Sequence, residues 1–384
     1  MKLTNRGRSS ARRGVPASRT IKRLSGLAVL GVVVLMTSGC SAEEALRFGW
    51  PEGITPEGKS MAEFWTWSVI AALAMGVLVW GLIFWTITFH RAKKSETEDE
   101  VIPRQTGYNV PLELAYTAIP FVLIAVMFYF TVGVQNEVEN KEDNPAIAVD
   151  VTAFQWNWKF GYNSVNIDGR QLVNPQTDSR KGEAFELQIP KYRDHEGERE
   201  AIKGAAGGRS AEERKYLAFD KIETVGTSAE VPVLVLPTDT RIQFNLAAAD
   251  VVHSFWVPEF LFKRDVMPFP EQNHQDPTFQ VSSIDREGAF VGRCAEMCGT
   301  FHAMMNFEIR AVSPADFAKY IEFRNSNPDA TNAQALQAIC EVPQSVTTVP
   351  FDTRRVSNGT TPEKIGDADN TKQAQCTPAE GGTN

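Results

Sequence analysis

Two stretches without a single charged side chain constrain this 384-residue chain more than any other feature. Phe64 to Phe89 runs 26 residues and Leu114 to Val134 runs 21. At a rise of about 1.5 Å per residue, each helix is longer than the roughly 30 Å hydrocarbon core of a bilayer. Trp65, Trp67, Trp80 and Trp85 stand near the ends of the first stretch, where indoles anchor at the membrane interface. The reading is two transmembrane helices, 64–89 and 112–134, joined by a loop 90–111. That loop opens with Arg91, Lys93 and Lys94 and stays cytoplasmic by the positive-inside rule. Everything after Val134 is then outside the cell, in a multi-pass protein of the plasma membrane.

The charge distribution agrees. Residues 1–39 carry eight basic side chains and no acidic one, followed by the apolar run Leu27 to Met36 and then Thr37-Ser38-Gly39-Cys40. This is the build of an export signal, and its end resembles a bacterial lipobox, which makes Cys40 the lipidated start of the mature chain and 40–63 an extracytoplasmic segment. Removing residues 1–39 leaves 31 Lys and Arg against 47 Asp and Glu, a net charge of −16. Such an acidic chain excludes a nucleic-acid partner and suits one with a basic face.

After the second apolar stretch the texture changes to short runs of Val, Ile and Phe bounded by Pro, Gly and Asp. They are 147–154, 185–189, 231–236, 242–246, 279–282, 290–294 and 305–312, the pattern of an all-β domain over 146–313. The Arg-, Lys-, Glu- and Gly-rich stretch 192–216 reads as an exposed insertion, partly helical around 211–217. Ser313, Pro314 and Asp316 open a short helix. From about Asn325 to the end of the 314–384 region the chain is polar and poorly periodic.

The chemistry concentrates in Cys294-Ala-Glu-Met-Cys298-Gly-Thr-Phe-His302-Ala-Met-Met305, with His253 some 40 residues upstream in Asp-Val-Val-His-Ser-Phe-Trp-Val-Pro. Soft sulfur with imidazole selects copper or zinc, and the thioethers favour copper. In an exported chain a Cys294–Cys298 disulfide or a Cys₂His₂ zinc site is the alternative.

Cys-x-Glu-x-Cys-x-x-x-His-x-x-Met with an upstream His-Ser-Phe resembles the CuA motif of subunit 2 of haem–copper cytochrome c oxidases. The resemblance spans roughly residues 60–315, apart from the insertion. It implies a two-helix transmembrane hairpin followed by a cupredoxin-like Greek-key β-barrel. It also implies a binuclear copper centre bridged by Cys294 and Cys298. His253 and His302 would be terminal ligands, with Met305 and the Glu296 carbonyl as weak ones, leaving Met304 to packing. The Glu296 carboxylate would reach a magnesium ion shared with subunit 1. Phe154-Gln-Trp-Asn-Trp-Lys-Phe160 resembles the family's aromatic segment and matches Trp156 to the residue through which electrons arrive. Leu112-Glu113-Leu-Ala-Tyr-Thr-Ala-Ile-Pro120 resembles the opening of its second span and places Glu113 at a proton path. A carboxylate there equally suits a helix N-terminus.

Cys340 and Cys376 are expected to pair in an exported chain. With the lipobox, the insertion and the tail resemble actinobacterial members, in which the oxidase joins a supercomplex with the cytochrome bc complex. The implied partners are oxidase subunits 1 and 3 and either cytochrome c or a membrane-bound dihaem cytochrome c. The implied activity is electron transfer through this chain to haem in subunit 1, where dioxygen is reduced and protons are pumped. Related quinol oxidase subunits lack these copper ligands. An assembly lipoprotein binding one labile copper and a CuA-bearing nitric oxide reductase subunit are the other readings.

Overall fold

The computed structural model describes residues 47–91, 107–181, 192–194, 197–199, 216–351 and 371–372. The export signal, Cys40, most of the 90–111 loop, the 185–189 run, most of the insertion and Cys376 lie outside the described residues. Residues 47–49 belong to a separate N-terminal unit, and the chain from Trp50 onward forms one compact unit.

Two helices, α1 (Pro56–Phe89) and α2 (Val110–Val138), are long and apolar enough to cross a membrane. Both begin as their sequences dictate. Thr55 and Asn109 accept the free N–H groups of Gly58 and Leu112, and a proline sits in each first turn. Ser60 donates to Glu137 (2.8 Å), which sets the start of α1 beside the end of α2.

The strands are β1 (Ile147–Phe154), β2 (Asn157–Ile167), β3 (Arg170–Val173), β4 (Ser179–Lys181), β5 (Tyr192–Asp194), β6 (Gly197–Arg199), β7 (Ala218–Asp220), β8 (Glu223–Val225), β9 (Val233–Pro237), β10 (Ile242–Ala248), β11 (His253–Val257), β12 (Phe262–Val266), β13 (Thr278–Val281), β14 (Gly288–Cys294) and β15 (Asn306–Val312). Helices α3 (Pro314–Ser326) and α4 (Asn332–Ala338) follow. One sheet runs β13-β10-β1-β2-β3, with β8 pairing residues 159–161 near the start of β2, and the other runs β12-β11-β14-β15-β9. β1 lies parallel to β10 and β15 parallel to β9, so each sheet closes through a crossover, as in cupredoxin-like Greek keys. Trp158, Phe160, Phe244, Phe255 and Phe307 fill the space between the sheets. The Tyr162 hydroxyl reaches across to the Val235 carbonyl (2.6 Å).

β2 is the strand that its sequence hides. Gly161, Asn163, Ser164 and Asn166 interrupt the apolar texture, yet β1 pairs along its length. The aromatic run at 154–160 is not one strand either. β1 ends at Phe154 and β2 starts at Asn157, so Gln155 and Trp156 form the hairpin tip while Trp158 enters the core.

The residues before α1 fasten the membrane hairpin to the β domain. Ile54 is 2% exposed; its N–H donates to Glu259 and its carbonyl accepts from Asp285 (3.0 and 2.9 Å). The Glu57 carboxylate accepts both the N–H and the hydroxyl of Ser282. Lys59 pairs with Asp285. The β domain is thereby held at the mouth of α1 by hydrogen bonds and an ion pair rather than by a free linker.

On the outer face of the first sheet, the Asp220 carboxylate packs against bare Gly161. Burial, then the neighbouring charge of Asp150, raises its pKa from 3.8 to about 8. The unfolded chain ionises Asp220 near its ordinary value, so the stability it allows is full below about pH 4 and falls as pH rises towards 8. Asp220→Asn is expected to raise stability at pH 8 by about 1–3 kcal/mol, the scale for relieving an enclosed, poorly compensated polar group. The gain should vanish near pH 4, which denaturation curves at the two pH values would check.

Candidate metal centre

Four pieces of chain meet at one end of the β sandwich: the start of β11, the end of β14, the residue before β15 and the β1–β2 hairpin tip. Backbone pairing sets them in place. Phe255 is paired with Cys294, the Cys294 N–H donates to Met305 (3.1 Å) and the Ala295 N–H to Ser254 (3.1 Å). Between Cys294 and Met305 the chain turns back through a 3-10 turn, His302–Met304, in which the His302 N–H bonds the Gly299 carbonyl (3.1 Å).

This folding gathers all six donors expected from the sequence. Cys294 Sγ is 3.8 Å from Cys298 Sγ, 3.9 Å from His253 Nδ1 and 3.2 Å from the Glu296 carbonyl. Cys298 Sγ is 3.6 Å from His302 Nδ1 and 3.9 Å from Met305 Sδ. His253, Cys294 and Cys298 form the single group of three metal-ligating side chains among the described residues, and all three are buried. Both cysteines are free thiols, so the disulfide alternative is not what the chain adopts. The hydrogen bond between them holds the Cys294 thiol down to about 3 despite burial and pushes the Cys298 thiol up. Two thiols side by side, each with an imidazole beside it, and with a carbonyl next to Cys294 and a thioether next to Cys298, suit copper, since a Cys₂His₂ zinc site has no use for Met305.

Asp250, which the sequence reading passed over, orients the site from behind. It is 5% exposed; one oxygen accepts from His253 Nε2 (2.9 Å) and the other from the Gln155 N–H (2.7 Å). A carboxylate only accepts, so Nε2 carries the hydrogen and Nδ1 is left to face Cys294. Burial lowers the pKa of His253, but the bonds to Asp250 and Cys294 outweigh it and leave it raised. Asp250→Ala is expected to weaken copper binding by about 10–100-fold, as loss of such supporting partners does. Asp250→Asn, which keeps an acceptor oxygen, should lose less; competition against a chelator would read both.

The hairpin tip closes the other side. Trp156 Nε1–H and Gln155 Nε2–H both donate to the Cys298 carbonyl (3.1 and 2.8 Å). Gly299, at φ +123°, makes room: a Cβ there would come 3.1 Å from the indole nitrogen. Trp158 Nε1–H donates to the Met305 carbonyl (3.3 Å) from inside the core. Met304, expected to pack, is 45% exposed because the 3-10 turn aims it outward; Met297 is 73% exposed.

The remaining residues lie elsewhere. The Glu296 carboxylate is half-exposed, 4.0 Å from Lys263. Glu113 sits in the first turn of α2 and accepts the Asn109 N–H (3.0 Å), closing a reciprocal cap with Asn109. Cys340 is disulfide-bonded.

An apolar hairpin carrying a cupredoxin-like domain with this donor set defines a class: membrane-anchored subunits of haem–copper oxidases. The family described as cytochrome c oxidase subunit II, periplasmic domain, matches residues 218–312. A Nocardia farcinica protein named probable cytochrome c oxidase subunit 2 is 57% identical over 350 residues, covering 89% of this chain and 92% of that one. Cytochrome c oxidase subunit 2 of Mycobacterium tuberculosis is 53% identical over 342 residues, with the same coverage. That of Corynebacterium glutamicum is 48% identical over 339 residues, covering 87% and 91%. The chain belongs to the cytochrome c oxidase subunit 2 family, in its actinobacterial form. It is a membrane-bound subunit of the oxidase with an extracytoplasmic β domain.

Proposed function

We propose that this chain is the electron-accepting subunit of its oxidase, holding a binuclear copper centre (CuA) between Cys294, Cys298, His253, His302, Met305 and the Glu296 carbonyl. The observation that carries this reading is the convergence of those six donors at one end of a rigid sandwich. Held by these residues, a copper pair would supply one-electron transfer with little change in its bonds.

The chain's own residues supply the rest. β11 and β14 carry His253 and Cys294, and the loop between β14 and β15 carries the other donors. That loop is pinned by the Cys294–Met305 backbone bond and by Gln155 and Trp156 on the Cys298 carbonyl, which keeps rearrangement small. Burial of His253, Cys294, Cys298 and Met305 excludes water from the inner side. Trp156 offers a half-exposed indole whose N–H bonds the carbonyl of a ligand residue, so a donor docked over it stands one hydrogen bond from the site. Met297 and Met304, exposed on the metal-binding loop, offer apolar surface to a docking partner. The donor is cytochrome c or a membrane-bound dihaem cytochrome c of a bc complex within a supercomplex. The electron goes on to haem in subunit 1, where dioxygen reduction and proton pumping take place, with subunit 3 completing the complex. In the same reading Glu296 reaches a magnesium ion at the subunit 1 boundary and Glu113 stands at a proton path. Cys40 is lipidated, Cys340 pairs with Cys376, and the complex resides in the plasma membrane.

Copper counting and EPR on the purified oxidase test the core of this. A hyperfine pattern from one electron shared equally by two copper nuclei is expected. A single labile copper on this chain would overturn the reading in favour of copper delivery.

A further inference from the structure

The described residues that follow α4 are held in place. Residues 345–348 wrap over β15, the strand that begins directly after Met305. One oxygen of the fully buried Glu308 accepts the Ser345 hydroxyl (2.8 Å), the Val346 N–H (2.7 Å), and the Thr347 N–H and hydroxyl (2.9 and 2.8 Å). Further along, Asn306 donates to the Thr348 hydroxyl (3.4 Å). Three residues on, Phe351 packs against Phe301 with ring centroids 5.6 Å apart. Phe301 precedes His302 and meets Trp156 edge-on at 5.0 Å and 80°. Phe301 thus stands between the hairpin-tip indole and the tail's last described aromatic ring.

We propose that segment 345–351 is a strap over the metal-binding loop and that Phe351 is a positioning residue, acting through Phe301 to hold Trp156 and the 299–304 turn. The turn needs such a wall. It is a single 3-10 turn, and the side chains of Ala303 and Met304 face outward. Its inner contacts come from Trp156 on Gly299 and the Cys298 carbonyl. Without Phe351 the outer ring face of Phe301 meets water, and the edge-on pair that fixes the indole plane loses its backing.

Two measurements test this. In the copper-free full-length chain, Phe351→Ala is expected to speed amide hydrogen exchange in residues 299–304 by about three- to tenfold, the scale of one aromatic contact. Exchange in β2 and β10 should not change, and Phe351→Tyr should restore the slow rate. This arm does not depend on copper. The consequence for electron arrival rests on the proposed CuA reading and is tested separately. In the copper-loaded oxidase, F351A should slow single-turnover reduction by ferrous cytochrome c, in which the haem loses the electron that the copper pair gains. Copper content and EPR spectrum should match wild type. Unchanged exchange at 299–304, or exchange accelerated equally across the whole β domain, overturns the strap. Unchanged reduction kinetics with faster local exchange overturns the positioning role of Phe351.

Discussion

Replacing Cys294 with serine is expected to abolish the shared-electron copper signal and to lower oxidase turnover by at least about 100-fold, beyond the 10–100-fold typical of losing a mere supporting partner. Cys294 lies within 3.9 Å of three other donors: Cys298, His253 Nδ1 and the Glu296 carbonyl. A serine hydroxyl is a hard donor with an ordinary pKa far above that of a thiol, so it neither bridges nor favours copper. The fold should survive. Cys294 lies at the end of β14, where its backbone bond to Met305 is independent of the side chain, and serine occupies a slightly smaller volume. Hence the variant should assemble with wild-type haem content while EPR shows no binuclear centre. Met305→Leu is the contrasting case. It keeps the volume of a 1% exposed side chain and removes the thioether alone, so the shared-electron pattern should persist with altered parameters. A C294S oxidase that kept both the pattern and its turnover would refute the ligand assignment.

What could be read from the sequence and what could not separate along a physical line. The membrane hairpin was legible because 26 and 21 uncharged residues have no other economical home. The donor set was legible because thiols, imidazole and thioether at Cys-x₃-Cys-x₃-His-x₂-Met spacing carry their chemistry in their identity. Asp250 was not, because a carboxylate three residues before a histidine has no signature until the turn places it behind the ring. β2 was hidden by polar residues on a sheet face that pairs on both edges. The tail looked featureless for a related reason. Its anchors are backbone N–H groups of Val346 and Thr347, which every sequence possesses, and their acceptor Glu308 stands on a strand where Glu and Arg at alternate positions look like a solvated face.

That face is instead among the most deeply buried parts of the domain, and Arg310→Met is expected to be strongly destabilising. Arg310, Glu308 and Glu341 are all 0% exposed. Arg310 donates Nε and Nη2 to Glu308, Nη1 to Glu341 (3.1 Å) and the Val342 carbonyl (3.0 Å), and Nη2 to the Gln344 carbonyl (3.1 Å). Lys372 lies 2.7 Å from the other oxygen of Glu341 and also faces Asp316 (3.3 Å) and Glu287 (3.6 Å), so Glu341 is contacted by two cations. Removing one partner of a buried pair strands the other charge and costs about 3–5 kcal/mol. Buried ion networks can often be replaced wholesale by apolar side chains at little loss, but this one should not permit it. Glu308 also satisfies two backbone N–H groups and two hydroxyls of the strap, and an apolar residue at 308 would leave all four donors without that acceptor. The double variant Arg310→Met/Glu308→Leu is therefore expected to be no more stable than R310M alone. Denaturant unfolding of the detergent-solubilised chain, followed by tryptophan fluorescence, would measure both. In R310M, protease should also cut first between Glu341 and Phe351, because the strap loses its hold before the sandwich does. A double variant that regained wild-type stability would mean that the charges serve only each other and that the strap is held by something else.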